Sequence, residues 1–432
     1  MKKQYPALGE TLFQRTLDNG LTVAVLPRPG FQRKLAYFVT DFGSVHTEFS
    51  FEGKDYRVPA GVAHFLEHKM FELPDRDVTA EFAALGANVN AFTSYDMTAY
   101  YFSCTEHFEE SLRLLVEFVS TPYFEAESVR REVGIIDQEI HMNADSPDTR
   151  VFENLMKAMY AVHPICVPIL GSCESIREIT PETLSLCHKA FYTPGNMILC
   201  VIGDVDPESV CQIAQEVLGS GIRPVGQKHR NWQEAMTVQN APGQPMEVSM
   251  PMFQLGFKCE PTGMGEPAIR QEIVGDLAAE LLFGESSELY LKLYEQGLID
   301  TSFGGGFESV DGCAFLSCSG DSEDPPAIRD AIFAQAKKLI AAGIAQEDFL
   351  RAKRSALGRR IRDLDSFDST AFRICAYHLS EYPYFDFPAV YASVEIPEIL
   401  DFFTQVVRRS RCALSVIHPL EEITATQEEK PC

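Results

Sequence analysis

No stretch of the 432-residue sequence approaches the roughly 18–20 consecutive apolar residues that a helix needs to cross a bilayer. No helix within it is expected to cross a bilayer, and no membrane partner is expected. Positive charge is scarce: 37 lysines and arginines face 62 aspartates and glutamates, for a formal net charge of −25. Such a chain has no broad basic surface for neutralising phosphates, so no nucleic-acid partner is expected either. Paired cysteines are missing. None of the 12 cysteines forms a C-x-x-C pair, and the chain is too long and too cysteine-poor for a disulfide scaffold. Without that spacing a cysteine zinc site is not expected. Cys104, Cys200, Cys259, Cys375 and Cys412 sit in apolar runs and read as reduced thiols. The basic segment Met1-Lys2-Lys3-Gln4-Tyr5-Pro6 is not followed by an apolar stretch of signal-peptide length. Both features point to a cytoplasmic location.

What is present is an ordinary globular composition, 45% hydrophobic and 11% aromatic, unlike that of a disordered acidic chain. At roughly 150 residues per domain the length allows two to four domains. Alternation over Leu21–Leu26 and Lys34–Thr40 predicts half-buried strands. Helices are expected around 62–72, 80–85 (closed by Gly86), 107–119, 125–143 and 150–160, with 90–103 strand-like. A buried strand at 196–204 and a helix near 207–217 close the first half. Glycines and prolines then cluster over 219–245 and read as a linker. The order restarts with a strand at 246–258, helices at 268–283, strands at 302–320, helices at 326–340 and 346–362, and an apolar closing run, Ala413–Ile417. Phe191-Tyr192 lines up with Phe402-Phe403, 211 residues later, as an internal duplication would require. Strands interleaved with helix pairs predict an α+β fold. Its two tandem similar domains each pack a mainly antiparallel sheet with helices. The boundaries expected are 1–220 for the first domain, 221–245 for the linker and 246–432 for the second. The acidic tail from Glu421 to Cys432 is expected to be mobile.

The chemistry concentrates in Gly61-Val62-Ala63-His64-Phe65-Leu66-Glu67-His68-Lys69-Met70-Phe71. Residues four apart on a helix are neighbours, so the His64 and His68 imidazoles project from one face and can each reach a zinc ion. Glu67 borders that face and can hold a water on the metal without binding the metal itself. This is the H-x-x-E-H order of an inverted zincin. A catalytic zinc needs a third protein ligand and one open position. The helix from Glu125 to Asn143 offers Glu132 and Glu139, which share a face beside Ile135, Ile136 and Ile140, taken as its inward side. A metal would offset the cost of burying two such acids. The bland alternatives are a solvated helix face for Glu132 and Glu139, and a surface carboxylate paired with Lys69 or an i+4 partner for Glu67. His141 reads as a capping or surface residue, Gly304-Gly305-Gly306 as a bulge or turn, and Tyr95, Tyr100 and Tyr101 as sheet residues.

At these residues the chain resembles the pitrilysin/insulinase family of zinc peptidases. The resemblance runs over nearly the whole chain. It rests on the stretch Gly61 to His68, on Asn90-Ala91-Phe92-Thr93-Ser94, and on Glu132-Val133-Gly134-Ile135-Ile136-Asp137-Gln138-Glu139. His163-Pro164, Gly171-Ser172, Phe191-Tyr192 and the 71-residue step from His68 to Glu139 add to it. The resemblance implies a tandem α+β fold and Zn²⁺ held by His64, His68 and Glu139. It makes Glu67 the general base and Glu132 a second acid outside the metal's own ligands. It also implies that an extended peptide pairs along Asn90, Ala91, Phe92 and Thr93, with unfolded peptides admitted and folded proteins excluded. Active members usually carry an arginine and, seven residues later, a tyrosine in the second half. Here Leu293 or Tyr294 and Asp300 stand in those places. The expected partner is therefore a paralogous subunit that supplies the clamp in a heterodimer, or a second copy in a homodimer. Two other readings follow from the family: a non-catalytic, peptide-binding scaffold, and a maturation factor. The phrase His64 to Glu72 is typical of a bacterial branch linked to the modification of elongation factor P.

Overall fold

The computed structural model describes residues 1–74, 76–230 and 232–420. The tail from Glu421, expected to be mobile, lies outside the described residues. The principal elements of the first half are β1 (Lys2–Tyr5), β2 (Glu10–Thr16), β3 (Thr22–Pro27), β4 (Lys34–Thr40), α1 (Val62–Met70), α2 (Val78–Ala84), β5 (Asn88–Thr93), β6 (Thr98–Cys104), α3 (Phe108–Ser120), α4 (Ala126–Ala144), α5 (Pro147–Met159), α6 (Pro181–Phe191), β7 (Met197–Gly203) and α7 (Pro207–Leu218). Those of the second are β8 (Gln244–Met246), β9 (Met252–Cys259), α8 (Glu266–Phe283), α9 (Glu288–Glu295), β10 (Gly304–Val310), β11 (Cys313–Asp321), α10 (Pro325–Ala342), α11 (Gln346–Arg362), α12 (Phe367–Leu379), α13 (Ile396–Val406) and β12 (Cys412–Pro419).

The chain forms two compact units, each discontinuous in sequence. Of the described residues, unit 1 takes those within 1–140, 168–230 and 361–385, and unit 2 takes 141–167, 232–360 and 386–420. In unit 1 the sheet order is β1-β2-β3-β7-β4-β6-β5, antiparallel except for the β3–β7 pair. The all-apolar β7 is buried along its whole length, as a central strand must be. Phe38, Phe65, Phe102, Phe118 and Phe191 meet in the core beneath it. In unit 2 the order is β8-β12-β9-β11-β10, antiparallel except for β8–β12. That is the same pattern as β3-β7-β4-β6-β5, so the α+β architecture is present twice. Each sheet is covered by a helix from the other half of the sequence: α12 packs on β7 and β4, and α5 on β9 and β12.

Several expectations need correction. Residues 90–103 form a hairpin, not one strand, because Ser94-Tyr95-Asp96-Met97 turns back with the Ser94 N–H donating to the Met97 carbonyl at 2.8 Å. The strand expected from 246 begins at Met252. The glycine- and proline-rich stretch is not merely a connector: Gln227 and Lys228 pair with Ser50 and Phe49, and Gln244–Met246 pair with Ile417–Pro419. The duplication step is also different. β7 and β12 begin at Met197 and Cys412, and α6 and α13 at Pro181 and Ile396, a step of 215 residues in both cases. Phe191 therefore corresponds to Val406, and Phe402-Phe403 sit about one helical turn too early. Gly304–Gly306 pair regularly with Ser317–Ser319 as edge strand, without a bulge. No helix among the described residues is long and apolar enough to cross a membrane, and no disulfide joins the eleven described cysteines.

Candidate metal centre

Helix α1 carries the two histidines and is placed by its surroundings. Eight of its nine residues are buried, His68 being half-buried. No side chain caps its start; Gly61 takes φ 89° there. A Cβ on Gly61 would collide with the Leu170 carbonyl, and one on Gly171 (φ 75°) with the Ala60 carbonyl. Two backbones thus approach at glycines, and Ser175 Oγ donates to the Ala60 carbonyl oxygen at 2.8 Å to hold the contact. At the other end the buried Lys69 ammonium bonds Glu72 and Ser128, a residue of α4. Lys69 is therefore not the partner of Glu67.

The His64 and His68 rings stand with centroids 4.5 Å apart. Helix α4 brings its two acids to them. Ile136 is fully buried and anchors α4 on the core, whereas Ile135 is 54% exposed. Ile135 is thus not part of the inward side, because one residue further along a helix turns the side chain by about 100°. Glu132 Oε1 lies 2.9 Å from His68 Nδ1. An ionised carboxylate only accepts, so neutral His68 carries its proton on Nδ1 and presents the Nε2 lone pair. The Glu139 carboxylate lies 3.7 Å from His64 Nε2 and 3.7 Å from His68 Nε2. These distances are too long for hydrogen bonds but leave the three donor atoms all within 4.8 Å of one another.

Burial and neighbours shift the protons. His64 is buried and lies beside His68, which pushes its pKa down to about 3 and keeps its imidazole neutral. Burial also opposes charge on His68, but the Glu132 hydrogen bond and the carboxylates of Glu132, Glu67 and Glu139 outweigh it and raise its pKa above 6.5. Burial raises the Glu67 carboxyl, Glu139 adds to the rise, and the Thr93 hydrogen bond and His68 oppose it. Two imidazole nitrogens and one carboxylate oxygen facing a common centre are a fitting donor set for zinc. His64 Nδ1 is buried and has no hydrogen-bond partner among the described residues.

The structure therefore brings His64, His68, Glu132 and Glu139 together, with Glu67 next to them. Asn90, Ala91, Phe92 and Thr93 lie on β5, the edge strand of the unit 1 sheet. The Ala91 N–H is met by Asn90 Oδ1 at 2.8 Å, and the Phe92 ring lies 6.2 Å from Tyr101 and 6.0 Å from Phe372. Thr93 is different: its hydroxyl donates to Glu67 Oε2 at 2.7 Å. Sequence reasoning assigned Thr93 only to a peptide-binding edge, since strand patterning cannot show which distant helix a side chain meets. In unit 2, Leu293 is buried, Tyr294 is exposed, and Asp300 accepts from the Ser302 N–H at 2.7 Å.

Residues 52–172 match the family model of the insulinase (peptidase M16) family, and residues 178–356 match that of the peptidase M16 inactive domain. The chain is 35% identical to "Uncharacterized zinc protease YmfH" of Bacillus subtilis over 96% of its own length and 98% of that protein's. A second Bacillus subtilis protein, "Uncharacterized zinc protease YmxG", is 32% identical over 34% of this chain and 37% of its own. Among solved structures, a putative M16-like peptidase from Alicyclobacillus acidocaldarius superposes with a TM-score of 0.91 at 32% identity, covering 97% of this chain and all of the other. A peptidase M16 inactive domain from Pseudomonas fluorescens shares the fold, with a TM-score of 0.75 at 18% identity, over 94% of this chain and 98% of that one.

Proposed function

The chain belongs to the insulinase (M16) family of peptidases, and from that premise we propose that it is a zinc metalloendopeptidase, or the catalytic subunit of one, hydrolysing unfolded peptides or small polypeptides. The observation that carries this reading is the convergence of His64 Nε2, His68 Nε2 and the Glu139 carboxylate. These three residues would hold the zinc ion, which would act as a Lewis acid and lower the pKa of a water to about 7. Glu67 takes the proton from the attacking water and returns it to the leaving amine. Its buried setting, which favours the protonated form, suits a group that must accept a proton and then release it. Glu132 fixes the tautomer and ring orientation of His68. An extended peptide adds as a further strand along the free edge of β5, its main chain supplying affinity.

The stretch around Leu293, Tyr294 and Asp300 contains no arginine. The reading therefore includes a paralogous subunit that contributes the missing clamp. The match of residues 178–356 to an inactive-domain model favours a second reading, a peptide-binding scaffold. Metal analysis of the purified chain, with peptide hydrolysis assayed for wild type and Glu67→Gln, separates the two. The peptidase reading expects one zinc per chain and hydrolysis that Glu67→Gln slows by about 10²–10⁴-fold without loss of metal. A scaffold would purify without zinc and tolerate the loss of His64.

A further inference from the structure

We propose that Thr93 is a positioning residue for Glu67, coupling the peptide-binding edge to the catalytic carboxylate; the inference rests on the peptidase reading above. Glu67 is 9% exposed, and the Thr93 hydroxyl is its hydrogen-bond donor, at 2.7 Å to Oε2. A carboxylate on a two-carbon stem rotates unless something fixes it, and a general base must stay within hydrogen-bond reach of its water. Occupying Oε2 leaves Oε1 as the atom that handles the proton. Threonine suits the task because β-branching restricts χ1, so the hydroxyl keeps one direction. Its backbone is equally fixed, since Thr93 is the last residue of β5 and pairs with Thr98 in the neighbouring strand. The same short strand thus offers main chain to a peptide at Asn90–Thr93 and a hydroxyl to Glu67 at Thr93.

A residue that only lined the peptide would affect binding and leave turnover alone. One that aims the base affects turnover and leaves binding alone. Thr93→Val keeps the shape and β-branching but removes the donor, whereas Thr93→Ser keeps the donor. For Thr93→Val the expected result is a kcat about 10- to 100-fold lower, with KM and zinc content unchanged. Thr93→Ser should recover most of that loss. The crystal structure of each metal-free variant gives a readout independent of activity. The Glu67 carboxylate should hold one position in wild type and Thr93→Ser and spread over more than one rotamer in Thr93→Val. A carboxylate that stays in place in Thr93→Val overturns the proposal, as does a variant whose KM rises while kcat holds. A Thr93→Val chain that melts well below wild type while Thr93→Ser does not would show a structural role instead. If Glu67→Gln remained fully active while Thr93→Val showed a displaced carboxylate, the peptidase mechanism would fail and the positioning contact would stand.

Discussion

The two units hold the same pair of helices together by different means. In unit 2, α8 and α11 follow the strands in the order that α1 and α4 follow in unit 1. There the pair is joined by ion pairs: Arg359 to Glu280 at 2.6 Å and Arg360 to Glu272 at 2.7 Å. Helices α4 and α11 begin at Ala126 and Gln346, so a step of 220 residues puts Ala352 at the place of Glu132 and Arg359 at the place of Glu139. In unit 1 the acids of α4 at these places, Glu132 and Glu139, meet histidines of α1 instead of an arginine. The Glu139 carboxylate faces the His64 and His68 imidazoles at 3.7 Å without bonding either, whereas Glu132 bonds His68 at 2.9 Å. One copy of the scaffold closes with an arginine; the other leaves two imidazole nitrogens and a carboxylate oxygen within 4.8 Å of one another.

The largest effect that could break this contrast is at Glu67. Glu67→Gln should lower kcat by about 10²–10⁴-fold while the zinc content stays at the wild-type level; peptide hydrolysis beside metal analysis reads both. Next comes unit 2. Glu272→Ala removes one charge-assisted hydrogen bond from the Arg360 guanidinium, 6% exposed, and should cost about 1.5–3 kcal/mol of stability in a denaturant titration. Zinc affinity should not change, because the Arg360–Glu272 ion pair lies outside the cluster of His64, His68 and Glu139. Loss of zinc in Glu272→Ala at temperatures where the chain is folded would end the comparison. Glu132→Gln replaces the acceptor that orients His68 and should weaken zinc binding about 10- to 100-fold, measured by competition with a chelator.

The smallest effect is that of pH. In the metal-free protein the pKa of His68 lies above 6.5, held there by Glu132 and its acidic neighbours against the opposing effect of burial. The proton must leave before Nε2 can bind, so affinity is full above that pKa and declines as pH falls through it, by up to about tenfold per unit. In Glu132→Gln the decline should begin at a lower pH, since the main support for the imidazolium is gone.

The histidine pair and the two acids were legible in the sequence because helical periodicity is a local property: four residues separate His64 from His68 and seven separate Glu132 from Glu139. The same logic misjudged Ile135, since an apolar residue beside a buried one does not itself reveal which side meets the core. The repeat was visible in element order but misregistered by a turn, because aromatic pairs recur in amphipathic helices without being equivalent. The cover of each sheet by a helix from the other half, α12 on β7 and α5 on β9, has no local signal at all. Nor does the Thr93 hydroxyl, which meets Glu67 across 26 positions of chain only because β5 and α1 pack together.

Anomalous scattering at the zinc edge from crystals of the zinc-loaded chain tests the central claim most directly. A single strong peak is expected about 2.0–2.2 Å from His64 Nε2, His68 Nε2 and a Glu139 oxygen, with Glu67 outside bonding distance. No peak among these residues, or a peak that Glu67 itself ligates, would contradict the account.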